Sequence, residues 1–186
     1  MRFIIFFLII IITACNKPDK VISKDEIVSF VGNPNNGYVF SASNSNSRCS
    51  VLYRPPQYSA FVDCRNEFND FSKSQYDSAV QKYMDSYYFE IHIESSKLKE
   101  LDHKQDTLYS ELFINNKSIL PDEIFEEPIM NMMNSQRYLV FFPKDSLNSN
   151  VLSKSTTLRL KLGINAFEFN LAETLNLKFP MILNRS

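Results

Sequence analysis

Apolar and polar residues alternate with a period of two in several separate segments of this 186-residue chain. Successive side chains of a β-strand point to opposite faces, so this alternation predicts strands with one buried face. Residues 138–142 are apolar at every position, which predicts a central strand covered on both faces. The alternating segments are residues 89–93, 158–162 and 167–171, and residues 108–114 are predicted to form another strand. About eight short strands in all predict a mainly β fold, either an antiparallel β-sandwich or a partly open barrel.

Two segments have the spacing of helices instead. Apolar residues recur every three or four positions from Tyr76 to Tyr87, after a capping-box pattern at Ser72 and Gln75. This pattern predicts one amphipathic helix over about 73–85, whose apolar face packs on a sheet. A second capping-box pattern at 23–26, flanked by apolar residues at 22 and 27, predicts a short N-terminal helix that ends at Gly32.

Turn residues connect the predicted strands. Asn115 and Asn116 suit a tight hairpin turn, and Gly163 begins another turn before residue 167. Residues 121–136 break the strand pattern and predict a loop that contains Met130, Met132 and Met133. These methionines either plug one end of the sandwich or form an adaptable binding surface, since the thioether side chain fills irregular spaces.

Composition excludes some classes of protein. The formal net charge is −1, and no basic cluster is present, which argues against a nucleic-acid partner. With 16 Phe and 9 Tyr but only 3 Gly, the chain has the composition of a folded domain. Its length suits a single domain with a full core.

The N-terminus has the features of a bacterial lipoprotein signal. Arg2 precedes an apolar run over 3–12, and the sequence Ile12-Thr13-Ala14-Cys15 follows. A run of this length is too short for a membrane-spanning helix, which needs about 20 residues, and a plain secretory signal does not explain the cysteine. The prediction is a signal peptide at 1–14, lipid on Cys15, a tether over 15–22 and a single β-rich domain over 23–180.

The two remaining cysteines form an even pair in an oxidising compartment. If residues 55–58 form a turn between strands 49–54 and 59–64, Cys49 lies opposite Cys64 on a pair of positions where side chains approach closely. This geometry predicts a Cys49–Cys64 disulfide.

Few residues are candidates for chemistry. Glu90, His92 and Glu94 lie on one side of a predicted strand and are weak candidates for metal ligands, although a solvated strand face explains them as well. His103 lies among charged residues in a predicted polar loop. The sequence contains no nucleophile elbow, phosphate loop or dinucleotide motif, so we assign no catalytic residue and no cofactor. A pair of acidic residues that converge in space, as in glycosidases, stays open.

The order of short motifs resembles that of small, uncharacterised lipoproteins of the Bacteroidota. The motifs cover most of the chain after residue 15: Asn36-Gly37-Tyr38, Tyr53-Arg54-Pro55, Tyr87-Tyr88-Phe89, residues 112–116 with Pro121, residues 139–143, and the hairpin 158–171. The resemblance implies a β-rich envelope domain of unassigned function and supplies no catalytic residues. Such lipoproteins can reach the cell surface when acidic residues follow the lipidated cysteine, and here only Asp19 does so nearby.

Three functions follow as hypotheses. The first is a non-catalytic binding or accessory subunit, held by lipid at a membrane of the cell envelope, with the outer membrane expected and its face left open. The second is an immunity or inhibitor lipoprotein that protects against a toxin or hydrolase. The third is an enzyme that acts on envelope polymers.

Overall fold

The computed structural model describes residues 21–23, 26–67, 73–95, 107–115, 117–127, 134–144, 155–171, 174–177, 179 and 181–183. The predicted signal peptide, Cys15, most of the predicted tether, His103 and the three methionines of the predicted loop lie outside the described residues.

Nine described strands form two antiparallel sheets. The larger sheet has the order β2-β3-β4-β8-β7, and the smaller has the order β10-β9-β5-β6. A separate parallel pair joins β1 to β11. In chain order the strands are β1 Val21–Ser23, β2 Val39–Ser43, β3 Ser47–Arg54, β4 Ser86–Ser95, β5 Tyr109–Ile114, β6 Lys117–Ile119, β7 Glu123–Glu127, β8 Ser135–Pro143, β9 Thr156–Leu162, β10 Asn165–Asn170 and β11 Met181–Leu183.

Within the part of the chain that the structure describes, three helices accompany the sheets. They are α1 at Ile27–Gly32, α2 at Pro56–Glu67 and α3 at Lys73–Lys82. Two short 3₁₀ turns lie at Pro34–Asn36 and Thr174–Asn176. The predicted helix at about 73–85 is confirmed as α3. The Oη of Tyr76 donates a hydrogen bond to the Gln57 carbonyl of α2 at 3.2 Å, so α3 contacts α2 as well as the core.

The core is built from the alternate residues that the period-two pattern selects. In β3, β4 and β8 the buried positions include Val51, Phe89 and Val140. Phe89 lies opposite Val140, and Val51 lies opposite Ile91, two residues from Phe89 on the same face. They form one cluster with buried residues of the smaller sheet such as Leu112 and Leu158. The predicted mainly β fold is therefore confirmed, and the described strands adopt the sandwich form of it.

The predicted hairpins are also present. β5 pairs with β6 and β9 pairs with β10. Asn115 has a φ of 50° and Gly163 a φ of 57°, the left-handed conformation that tight hairpin turns require. Asparagine tolerates this conformation and glycine has no Cβ to oppose it, which is why these residue types occur there.

The predicted strand at 59–64 is wrong, because these residues lie in α2. Pro56 is the first residue of the helix, a position where its fixed φ suits the first turn and its missing N–H is not needed. Tyr58, Phe61 and Cys64 are spaced by three, so a helix places them on one side, where all three are buried. The short segment satisfied the strand pattern by coincidence.

Loss of that hairpin removes the basis for the disulfide. Cys49 and Cys64 both carry thiols and are buried, and no disulfide joins them, so the predicted Cys49–Cys64 disulfide is wrong. Cys49 lies in β3 opposite Ala42 on one side and Ile93 on the other, whereas Cys64 lies in α2. Burial raises the pKa of the Cys49 thiol to about 12, which keeps it protonated and unreactive.

Two further expectations need correction. The N-terminal helix begins at Ile27 after Glu26, whose side chain makes no capping bond, and Ser23 lies in β1, so the predicted capping box is wrong. Pairing with Met181–Leu183 holds residues 21–23 in extended form instead. In the predicted loop, Glu123–Glu127 forms the edge strand β7 on β8. Four of its five residues are exposed, so it carries no alternating pattern.

Candidate functional site

The outer face of the larger sheet carries polar and charged residues in regular cross-strand rows. Side chains at paired positions of an antiparallel sheet lie on the same face. One row contains Arg54 and Tyr88, which continue to Phe141 in β8. The next two rows supply Glu90 and Arg137. The inner face of the same strands is apolar and buried, so the sheet separates two chemical environments.

Ion pairs cross this outer face from β3 to β7. Arg54 Nη1 lies 3.9 Å from Glu90 Oε2, and Arg137 Nε lies 3.5 Å from Glu90 Oε1. Arg137 Nη1 is in turn 3.6 Å from Glu127 Oε2. Glu90 is therefore shared between two arginines, and its contact with Arg54 is the longer of the two.

Glu90, His92 and Glu94 lie on one face, as the alternation predicted, but they have different partners. His92 Nε2 lies 2.6 Å from Ser135 Oγ, and its Nδ1 lies 3.9 Å from Glu94 Oε1. Glu90 faces arginines instead. Within the described residues no group of three or more His, Cys, Asp or Glu side chains is arranged to hold a metal ion.

Ser135, His92 and Glu94 occur in the order of a nucleophile, a base and an orienting carboxylate. Such a device needs hydrogen bonds of about 2.6–3.2 Å at both steps. The serine–histidine contact satisfies this requirement, whereas the 3.9 Å between His92 and Glu94 does not. Glu94 is also 54% exposed in its side chain, which weakens its pull on the imidazole. The geometry supports a polar contact between strands more than a catalytic device.

A small, partly enclosed pocket lies where α2 and the residues after α3 cover one end of this outer face. We call it the Arg54 pocket. Its volume is about 90 Å³. Arg54 and Ser59 contribute polar groups from β3 and α2. The complete lining is Arg54, Ser59, Asp63, Tyr83, Tyr88, Phe89, Leu139, Val140 and Phe141.

Two donors of the Arg54 pocket are buried without a hydrogen-bond partner in the described part of the chain. They are Arg54 Nε and Ser59 Oγ. Ser59 is 1% exposed, and the Arg54 side chain is 14% exposed. A buried donor left unpaired destabilises a fold by about 1–3 kcal/mol, and by more when it is charged. Such groups in a pocket indicate a place where an acceptor can bind.

The acidic group of the Arg54 pocket is already paired. Tyr83 donates its hydroxyl to Asp63 Oδ2, and Lys82 Nζ lies 3.5 Å from the same oxygen. Burial and the bond to Asp63 raise the pKa of Tyr83, so the hydroxyl stays protonated and remains a donor to the carboxylate. Arg54 is the cationic residue in the lining of this pocket, and its Nε has no partner among the described residues.

Aromatic rings connect the pocket to the edge of the sheet. Tyr83 meets Tyr88 with centroids 5.0 Å apart, and Tyr88 meets Phe141 at 4.6 Å, both edge to face. Phe125 of the edge strand continues the series, 5.5 Å from Phe141. These contacts fix the apolar wall opposite Arg54 and Ser59.

A second, open groove lies between α2 and α3 and meets the Arg54 pocket at Asp63. Its volume is about 510 Å³. Cys64, Ser78 and Lys82 are among its lining residues. Most of its lining is polar, and it faces solvent more widely than the Arg54 pocket.

Sequence reasoning did not identify Arg54 and Ser59 as site residues. Both fell within the predicted hairpin, in which Ser59 was a strand residue. The signal that leads to them is Pro55-Pro56, since a proline at the first helical position predicts a helix after it. Once α2 is recognised, Ser59 falls in its first turn beside the end of β3.

No protein-family model, curated protein or solved structure matches this chain. Among the residues that the structure describes, no helix is both long enough and apolar enough to cross a membrane.

Proposed function

We propose that this protein is a lipid-anchored domain of the bacterial cell envelope that acts as a non-catalytic binding or accessory subunit. The observation that carries the proposal is the sequence Ile12-Thr13-Ala14-Cys15 after a short apolar run. Two or three acyl chains on Cys15 would hold the β-sandwich at a membrane surface, because one chain alone binds only marginally. The resemblance to Bacteroidota lipoproteins favours the outer membrane as the site of anchoring.

The binding role is supported by the Arg54 pocket. The pocket presents two buried donors to a partly enclosed space with an apolar wall, and ligand sites commonly combine an apolar lining with a few polar groups. The His92–Ser135 contact on the outer face does not have the second short contact that a catalytic device needs.

Metabolic labelling with an alkyne analogue of palmitate tests the anchor. The full chain expressed in a bacterial host should be labelled and should fractionate with membranes. A Cys15→Ser variant should lose the label, whereas a Cys49→Ala variant should keep it, because Cys49 lies inside the fold. Absence of label on the unaltered chain, or label that persists in Cys15→Ser, would refute the anchor.

Pull-down from detergent-solubilised membranes tests the accessory role. The anchored protein should recover a partner or ligand in stoichiometric amount. Recovery as a lone monomer, with no ligand, counts against the role.

A further inference from the structure

Arg54 has more hydrogen-bonding capacity than the protein uses. A guanidinium group carries five N–H donors in a planar fork. Among the described residues, its ion pair is the 3.9 Å approach to Glu90, a carboxylate that Arg137 approaches more closely. The guanidinium carbon also lies 5.8 Å from the centre of the Tyr58 ring, which holds the group beside the pocket. Its Nε has no partner among the described residues.

Ser59 supplies a second donor to the same space. Its hydroxyl is buried and has no partner in the described structure. It belongs to the first turn of α2, whereas Arg54 ends β3, so two different elements place donors around one cavity. The opposite wall is formed by Leu139 and Phe141, which lie on the outer face of β8.

These features together define the occupant by its chemistry. A carboxylate accepts two parallel hydrogen bonds from a guanidinium and a third from a hydroxyl. A cavity of about 150 Å³ admits benzene, so the smaller volume here admits a group of only a few heavy atoms. The nearby carboxylates of Asp63 and Glu90 disfavour a doubly charged anion such as phosphate.

We propose that the Arg54 pocket binds the carboxylate of a small organic acid or of a peptide C-terminus, held by Arg54 and Ser59 against the apolar wall. This proposal rests on the proposed binding role and names its ligand class. Carboxylate binding does not depend on the lipid anchor, so the absence of acylation would not contradict this proposal.

Methyl NMR of the purified full chain in detergent micelles tests the proposal. Leu139 lines the pocket from the outer face of the sheet and carries two methyl probes. Sodium propionate at constant ionic strength should shift both signals saturably. Propionamide, which has the same shape without the charge, should bind at least about tenfold more weakly, as expected when a charge-assisted hydrogen bond is lost. Inorganic phosphate should also bind more weakly.

Variants assign the binding to Arg54. An Arg54→Met variant keeps a long side chain against Tyr58 and should weaken propionate binding by about tenfold or more. Arg159→Met is the matched control, because Arg159 is exposed on the smaller sheet and pairs with Glu168 at 2.9 Å. It should bind propionate as the unaltered protein does. Ser59→Ala should weaken binding less than Arg54→Met, since its hydroxyl is neutral.

A short peptide distinguishes the two sources of the carboxylate, a small organic acid and a peptide C-terminus. Acetyl-alanyl-alanine should compete with propionate, and tighter binding than propionate identifies a peptide terminus as the ligand, whereas weaker binding identifies a free acid. The proposal fails if propionate gives no saturable shift, if propionamide or phosphate binds equally well, or if Arg54→Met leaves the propionate affinity unchanged.

Discussion

The two faces of the larger sheet differ in whether their buried groups have suitable contacts within the described structure. On the inner face, Phe89, Ile91 and Phe142 are fully buried among other apolar groups. On the outer face, at the end covered by α2, Arg54 Nε and the Ser59 Oγ of α2 are buried and have no partner in the described residues. Tyr53 and Arg54, which are adjacent in β3, thus face the buried core and the outer pocket respectively.

The difference indicates which face stabilises the fold and which is available for binding. Apolar burial on the inner face contributes about 25 cal/mol per Å² removed from water. The outer pocket holds buried donors that lower stability until an acceptor arrives. Sites that bind ligands are places where a protein breaks the ordinary rules of satisfied burial. The following predictions test this division, from the largest expected effect to the smallest.

Truncation on the inner face should give the largest loss of stability. Phe142→Ala removes a fully buried ring that meets Phe89 edge to face at 5.8 Å. We expect the free energy of unfolding in urea to fall by about 3–5 kcal/mol. Ile164→Ala, at a turn residue that is 76% exposed, is the control and should change it by less than about 0.5 kcal/mol. Equal effects would mean that Phe142 is not part of the core.

Loss of a buried, hydrogen-bonded serine hydroxyl should lower the free energy of unfolding less than loss of a core ring does. It should lower it more than a change at the surface does. Ser47 Oγ lies 2.8 Å from both Ser95 Oγ and Asn165 Oδ1, and Asn165 belongs to the other sheet. Ser47→Ala should lower the free energy of unfolding by about 1–3 kcal/mol, because it removes a buried link between sheets. Ser41→Ala, at an exposed position of β2, should have little effect. A Ser47→Ala protein as stable as Ser41→Ala would contradict the role of this link.

Alkaline pH should gradually lower the free energy of unfolding, because buried groups with raised pKa values become charged. Burial raises the pKa of Cys49 from 9.0 and that of Tyr38 from 10.0, each to about 12. Groups with raised pKa values stabilise the folded state fully below their ordinary pKa, and this stabilisation is lost as pH rises toward the folded value. The free energy of unfolding should therefore decline between pH 9.0 and about 12, and more shallowly in Cys49→Ala. A decline that is equally steep in Cys49→Ala would exclude the thiol as a cause.

A buried serine without a partner should behave differently from Ser47. Ser59→Ala removes a hydroxyl that has no partner among the described residues. We expect the free energy of unfolding to stay within about 1 kcal/mol of the original value, with any change toward greater stability. A loss as large as that of Ser47→Ala would show that the Ser59 hydroxyl has a structural role.

The strands and hairpins could be predicted because their signals are local. The alternation around Ile91 and the turn residues at Asn115 and Gly163 determine side-chain faces and chain reversals within a few residues. Helix α2 could not be separated from a strand by periodicity, since residues 59–64 are too few to distinguish the two periods. The edge strand β7 pairs on one side only and is mostly exposed, so its sequence lacks a pattern.

The candidate site could not be predicted because it depends on contacts between distant residues. Arg54 and Ser59 are close in sequence, but the pocket forms only when Tyr83, Leu139 and Phe141 close it from other elements. The predicted hairpin also assigned residues 59–64 to a strand beside β3, whereas Ser59 lies in helix α2. The sequence correctly predicted that Glu90, His92 and Glu94 share one face of β4. The partners of Glu90 and His92 lie on β3 and β8, and the sequence of β4 alone does not predict them.

The central claim is that the Arg54 pocket serves binding rather than stability. The most direct test is the free energy of unfolding of Arg54→Met, measured in urea without any added carboxylate. Because the Arg54 Nε has no partner in the described residues, we expect a value equal to that of the unaltered protein within about 1 kcal/mol, or higher. A loss of about 3 kcal/mol or more, the amount expected when a buried charge pair is broken, would show that Arg54 holds the fold together and would contradict the claim.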